Sequence, residues 1–397
     1  MGAIATGWNL RDAVAVVGIG STSFSRAGTS GKTAFRLALE ATIAACDDAG
    51  VRPDHLDGFV TYATETTDPY TLAQSIGCEA TSFFDRYSGG GESLAATIHH
   101  AAMAIASGVA DNVLVYRSLS GRLVPTSASG HATAAVENGG FRFSFLAPFG
   151  AFTPAHLYAL HARRHMIDFG TTSEQFGAYA VSANANAQRN PAAIHFGRPI
   201  TLADHQASRM IADPYRLYDC TQEADGACAV VVTSAERARD LRRAPVYLLG
   251  AAEGSGPADQ LYNQMRHQSR FNTAGMAEIA EVLYRRAGIG PAEIDVAQIF
   301  ETFTGQGVMA LEDFGFCGPG EGGPFVESGA IRWPDGSLPI NTAGGGLAEA
   351  YLHGFNNLVE GVRQLRGTST CQVEDASTCL VTSGPAAMPS SAMVLRR

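Results

Sequence analysis

The stretch Asn341-Thr-Ala-Gly-Gly-Gly-Leu-Ala-Glu-Ala-Tyr351-Leu-His353-Gly354 gathers groups that can do chemistry. Tyr351 carries a phenol, a proton donor whose ordinary pKa of about 10 calls for assistance at neutral pH. His353 titrates in the physiological range. Gly344, Gly345 and Gly346 lack a Cβ, so the backbone there can approach a ligand closely, and Asn341 opens the turn. Glu253 ends the apolar run Val246–Ala252. A carboxylate partly desolvated at a strand end gains a raised pKa and suits general-base work. Gly89-Gly90-Gly91-Glu92 opens an Ala-rich helix, whose first amides and dipole can hold an oxyanion. Each residue also has a plainer reading: a tyrosine packing a core helix, a satisfied helix histidine, a solvated loop glutamate, tight turns. Glu301 and Asn341 read as residues that orient their neighbours.

Other chemistries are disfavoured. Lys32 is the only lysine and stands in a polar loop, which argues against an imine mechanism. That loop is no P-loop, because Arg26 replaces its first glycine, and Gly18/Gly20 lack the third glycine of a dinucleotide fingerprint, replaced by Ser23. Seven scattered cysteines contain no Cys-x-x-Cys pair, so neither a zinc ribbon nor a disulfide framework is expected. His161 and His165 are spaced i,i+4, but no Glu follows His161 in the zincin arrangement; no metal site is expected. A net charge of −10 argues against nucleic acid or an anionic membrane surface as a partner. No apolar run approaches the roughly 20 residues that span a bilayer, and Met1 to Arg11 shows no signal peptide. The expected compartment is the cytoplasm.

The elements that must position these groups follow from periodicity. Val14–Gly20, Leu56–Ala63, Ser82–Arg86 and Asn112–Tyr116 read as strands, with helical spacing at Thr33–Ala49 and from Gly91 to about Ala106. This β-α-β alternation predicts an α/β layered fold. From Ser118 to about Ala212 the pattern loosens into an insertion over the sheet, with helices at Pro154–Asp168 and Thr172–Asn190. Phe141, Phe143, Phe145, Phe149 and Phe152 are candidates for an apolar pocket there, though packing is the commoner use of such residues. The second half repeats the first loosely: strands at Val246–Ala252, Asp295–Phe300, Thr378–Thr382 and Ser391–Leu395, and helices at Ala274–Ala287, Thr304–Phe314 and Leu347–Leu365. The expected organisation is an N-terminal half over 1–240, with the insertion at about 118–212, and a C-terminal half over 241–397.

Nearly the whole chain resembles the thiolase superfamily. Phe300-Glu-Thr-Phe303 stands where thiolases carry Asn-Glu-Ala-Phe, and Gly344 to Leu352 stands where they carry their Gly-Gly and Gly-His-Pro run. The resemblance puts Phe300 at the oxyanion-hole asparagine, Tyr351 at the catalytic histidine and Gly91 at the nucleophilic cysteine. The second, acid/base cysteine belongs near Thr382 or Ser383, with Cys379 a few positions upstream. The framework is thus present without the thiolate that forms an acyl-enzyme. The wording Tyr351-Leu-His-Gly-Phe-Asn-Asn357 is similar to the branch of aldolases that cleave side chains from steroid acyl-CoA thioesters. Relatives in that branch often carry tyrosines where Phe300 and Glu253 stand here.

The resemblance implies a thiolase fold, five αβαβα layers built from two pseudo-duplicated halves. It implies a retro-aldolase releasing a short acyl-CoA, with CoA present only as part of the substrate and no other cofactor. Its expected catalytic residues are Tyr351, Glu253 and His353; Gly90, Gly91, Phe300, Asn341, Gly344 and Gly345 are expected to hold substrate or CoA. A homodimer joined by a small zinc-ribbon/OB-fold protein is the implied assembly. Two rivals stand beside it: an acyltransferase using Ser88 or Cys379, and a catalytically silent acyl-CoA-binding subunit.

Overall fold

The computed structural model describes residues 8–121, 147–151, 153–255, 271–384 and 389–397. Four strands of the first half are β1 (Val14–Ser21), β2 (Gly58–Tyr62), β3 (Phe83–Tyr87) and β4 (Asn112–Leu119), followed by β5 (Ala224–Ser234). The second half supplies β6 (Val246–Gly254), β7 (Val296–Gln298), β8 (Thr378–Thr382) and β9 (Ser390–Arg396). They form one hydrogen-bonded path, β7-β8-β9-β6-β1-β5-β4-β2-β3, in which the two halves meet where β1 pairs with β6.

Each half has the same wiring. In the first, β2 runs parallel to β4, β4 antiparallel to β5, and β5 antiparallel to β1. In the second, β7 runs parallel to β8, β8 antiparallel to β9, and β9 antiparallel to β6. The duplication, faint in the sequence, is therefore explicit in strand order and direction.

Alternation along the strands explains the layers, because successive side chains leave on opposite faces. Ala15 and Val17 of β1 pack beneath Leu37, Ala41 and Ala45 of α1 (Ala34–Ala49), forming one outer core. Val14 and Val16 face the opposite way, toward α2 (Leu94–Ala106) and a second central helix described below. A third core lies beyond the second half's strands. There Leu380 and Val394 meet Ile279 and Leu283 of α5 (Ala277–Ala287) and Val308 and Leu311 of α6 (Thr304–Asp313). Each Val or Leu buried this way contributes roughly 1.5–3 kcal/mol of transfer free energy. The result is helix, sheet, helix, sheet, helix.

Two expectations need correction. The helix expected over Leu347–Leu365 is two helices, α7 (Gly345–Ala348) and α8 (Phe355–Arg366), and α8 joins α2 in the central layer. Between them the chain turns through His353 at φ 53° and Gly354 at φ 81°, a conformation that ends helical hydrogen bonding. The insertion also packs differently. Its helices α3 (Pro154–Phe169) and α4 (Ser173–Ala187) place Ala159, Ala162, Phe176 and Tyr179 in the core of the second half, against Val308 and Leu311. Of the five candidate pocket phenylalanines, Phe149 is exposed, and Phe141, Phe143, Phe145 and Phe152 lie outside the described residues.

Candidate active site

Phe300 and Glu301 follow β7 after Ile299, and Glu301 is turned wholly inward. Its carboxyl accepts from Asn341 Nδ2 at 2.9 Å and from the Leu347 amide at 3.3 Å. Burial pushes its pKa up to about 8, against those hydrogen bonds. Asn341 is also fully buried: its Oδ1 accepts the Ile299 amide at 2.8 Å, and Nδ2 donates to the Ile299 carbonyl at 2.9 Å. Gly345 sits over this pair at φ 60°, where a Cβ would stand 2.6 Å from Glu301 Oε1. Asn341, Gly344 and Gly345, expected to hold substrate, are buried, build the turn that delivers Tyr351 and do not themselves line the cleft beside it.

Tyr351 and His353 line a cleft of about 500 Å³ with Thr302, Phe303, Cys220, Thr221, Gln222 and Glu223. The backbone of Tyr351 is bridged to Glu223, which ties the segment to the loop preceding β5. A helical offset of two would have separated the two side chains. Because the segment is not helical, their rings meet edge to face, 5.2 Å apart at 87°. Burial pushes the Tyr351 phenol up to about 12, and a hydrogen bond from the Thr302 side chain opposes this. Tyr351 is thus protonated at neutral pH. His353 is held well below the usual imidazole range, first by burial and then by Arg117, so it does not titrate near neutrality as expected.

The floor of the site is aromatic. Phe300 stacks on Tyr351 with ring centres 6.0 Å apart. The same ring fills the space over Gly91, where a Cβ would stand 2.6 Å from Phe300 Cε1, and over Gly384 at 2.7 Å. Gly90 lies against the His353 ring. The Phe300 amide donates to Thr382 Oγ1 at 3.0 Å, and Ser383 Oγ accepts the Ala95 amide at 2.9 Å. The two hydroxyls near the place of the second thiolase cysteine are therefore occupied by structural bonds.

Glu253 is the clearest misplacement. It ends β6 beside His99 and His100, with His100 Nε2 at 3.3 Å and His99 Nδ1 at 3.5 Å, and it does not line the cleft. Burial alone would raise its pKa, but the hydrogen bond to His100 and the close contact with His99 outweigh it and hold the carboxylate down to about 2. His100, bonded also to Asp85 at 2.6 Å, is pushed up to about 9. This is an ionised cluster, not a poised base. His165 is likewise structural, bonded to Glu312 at 3.0 Å and Thr171 at 2.8 Å.

Cys379 is buried in the central core, and burial pushes its thiol well up. Ser88 is exposed and is not among the residues that line the cleft. Cys220 does line the cleft, but its thiol donates to the Arg216 carbonyl at 3.4 Å, and burial with nearby Asp219 raises its pKa strongly. None of these three is an activated nucleophile.

Sequence reasoning missed Arg117, Glu65 and Glu92. Arg117 is 1% exposed on β4, ion-paired to Glu65 at 3.2 Å and bonded to His353 Nδ1 at 3.0 Å. Glu92 lies in the short turn Gly91–Ser93 just before α2, and its charge reaches both Tyr351 and Arg117. The available signal was Arg117 itself, the one charge in the otherwise uncharged run Val113–Leu119, since buried charges are retained with partners.

A glycine-turned tyrosine stacked on Phe300 at a cleft wall, in a duplicated five-layer α/β frame, defines a thiolase-type protein, and none of its candidate thiols is activated. Residues 258–397 match the family described as thiolase C-terminal domain-like. The chain is 42% identical to a 17-hydroxy-3-oxo-4-pregnene-20-carboxyl-CoA lyase of Mycobacterium tuberculosis, over 96% of this chain and 98% of that one. It is 40% identical to a steroid side-chain-cleaving aldolase of Thermomonospora curvata, over 97% and 98%. A solved structure of an Ltp2-ChsH2(DUF35) aldolase superposes with a TM-score of 0.89 at 40% identity, covering 98% of each chain. The chain belongs to the thiolase superfamily, in the branch of the steroid side-chain-cleaving acyl-CoA aldolases. Among the described residues, no helix is long and apolar enough to cross a membrane.

Proposed function

We propose that the Tyr351 cleft cleaves the side chain of a steroid β-hydroxyacyl-CoA by retro-aldol chemistry, without a covalent acyl-enzyme. In the substrate named for the mycobacterial relative, the 17-hydroxyl and the thioester stand in the β relation this reaction needs. The Cα–Cβ bond breaks, its electron pair passes into the thioester as an enolate, and the carbinol carbon becomes a ketone. The net change moves one proton from the hydroxyl oxygen to the α-carbon. A neutral phenol serves both ends of that transfer: its oxygen accepts the hydroxyl proton while its own proton goes to the enolate carbon. The observation that carries this reading is Tyr351 at the cleft wall, held as a neutral phenol and stacked on Phe300, whose ring covers a Gly91 that bears no nucleophile.

CoA enters only as part of the substrate, and the chemistry uses no further cofactor. The working assembly is a cytoplasmic homodimer with a small zinc-ribbon/OB-fold partner completing the CoA cleft. The DUF35 component of the superposed aldolase supports such a partner. The test is an assay of the chain, with and without a DUF35 protein, on a 17-hydroxy steroid acyl-CoA, reading ketosteroid and short acyl-CoA by liquid chromatography. Binding of the thioester with no products in either case would overturn the lyase reading in favour of a silent binding subunit.

A further inference from the structure

Arg117 and Glu65 form a buried ion pair in direct contact with a cleft residue. Glu65 accepts from Arg117 Nη1 at 3.2 Å, the Ser118 amide at 2.7 Å, Ser118 Oγ at 2.8 Å and the Thr67 amide at 2.8 Å. Four donors on two oxygens fix the carboxylate and, through it, the guanidinium. The other arm of Arg117 lies 3.0 Å from His353 Nδ1. A guanidinium has no lone pair to offer, so this contact can only be a donation to an unprotonated Nδ1. The neutral imidazole must then carry its proton on Nε2, on the ring edge away from Arg117. The backbone of His353 is held as well: the Tyr62 hydroxyl donates to its carbonyl at 3.2 Å.

We propose that Arg117, braced by Glu65, is a positioning residue that keeps His353 as the neutral Nε2–H tautomer, presenting a hydrogen-bond donor to the thioester oxygen as enolate charge develops. The proposal deepens the retro-aldol reading and, for the enolate role, rests on it. It also separates duties within the cleft: Tyr351 moves the proton, and His353 stabilises charge without titrating. The groups facing the imidazole agree with this. Arg117 lies against Nδ1, the rings of Tyr351 and Tyr62 flank it, and the charges of Glu65 and Glu92 bear on it through Arg117.

The direct test is nitrogen NMR of the wild-type chain labelled with 15N-histidine, with the His353 signals assigned by their loss in His353→Asn. The expected result is a pyridine-type Nδ1 and a pyrrole-type Nε2, unchanged between about pH 6 and 8. A protonated Nδ1, or an imidazolium in that range, overturns the proposal whatever the enzyme's substrate proves to be. The second test uses the chain with its DUF35 partner and the double variant Arg117→Met/Glu65→Leu, which removes both members of the buried ion pair together. With folding verified by near-UV circular dichroism, kcat is expected to fall at least about tenfold, toward the 10²–10³ typical of losing one oxyanion donor, with KM little changed. Arg117→Lys, which keeps the charge and one donor, should restore part of the loss. An unchanged kcat in the folded double variant overturns the positioning role. Absence of any turnover by the wild type removes the enolate role together with the lyase reading, while the nitrogen signals still decide the tautomer.

Discussion

Phe300 and Gly91 share one volume: a Cβ on Gly91 would stand 2.6 Å from Cε1 and 2.9 Å from Cζ of the Phe300 ring. The loss of the thiolase nucleophile is therefore not one missing atom. The space its side chain would need is filled by an aromatic ring that also stacks on Tyr351. Restoring a thiol at residue 91 should accordingly fail to restore thiolase chemistry. Gly91→Cys is expected to lose about 1–3 kcal/mol of stability through overpacking. Adding Phe300→Ala should recover part of that loss, since contacting residues couple. Denaturant unfolding measures both effects, and mass spectrometry after incubation with an acyl-CoA should find no acyl adduct on Gly91→Cys alone.

Tyr351→Phe keeps the stack on Phe300 and removes only the hydroxyl. Steady-state cleavage of the steroid hydroxyacyl-CoA should fall by about 10²–10⁴ in kcat, with KM changing little. Undiminished turnover would remove Tyr351 from the proton path.

Glu253→Gln separates the ionised cluster from the cleft. With kcat expected within about threefold of wild type, the effect should appear in stability instead. The carboxylate, held down to about 2 from its ordinary 4.5, contributes stability that is present above 4.5 and lost as pH falls toward 2. His100, raised from 6.5 to about 9, contributes stability that is present below 6.5 and lost as pH rises through 9. The shift of His100 comes first from Asp85, which the variant keeps, and only then from Glu253, so thermal melts should show the largest difference between variant and wild type from about pH 4.5 to 6.5, narrowing on both sides.

Glu301 has the opposite sign. Its folded pKa of about 8 lies above the ordinary 4.5, so its contribution is fully present below 4.5 and declines as pH rises through 8. Glu301→Gln, which replaces the protonated carboxyl by a neutral amide, should flatten that decline. A melting series in which wild type and variant run parallel from pH 4.5 to 8 would show that the Glu301 carboxyl is not held protonated.

Much of the frame was legible because it is periodic. Val14–Gly20 and Thr378–Thr382 read as strands from short apolar runs, and the thiolase-like run from Asn341 to Gly354 marked Tyr351 by what it replaces. Boundaries drifted by a few residues where capping decides them, as at Ala277 rather than Ala274. Glu253 illustrates the limit: a strand-end carboxylate has the same letter whether it faces solvent, a cleft or two histidines from another helix.

The sequence by itself determined the layered fold, the family and the absence of a sulfur nucleophile at residue 91, because those follow from local pattern and residue type. Only the tertiary structure decided which groups meet. The left-handed turn at His353 and Gly354 brings two side chains together that a helix would have parted. Arg117 reaches His353 from 236 residues away in the chain. Spacing encodes neighbours along one element, whereas the charge state of a buried group depends on what the packing of several elements sets beside it.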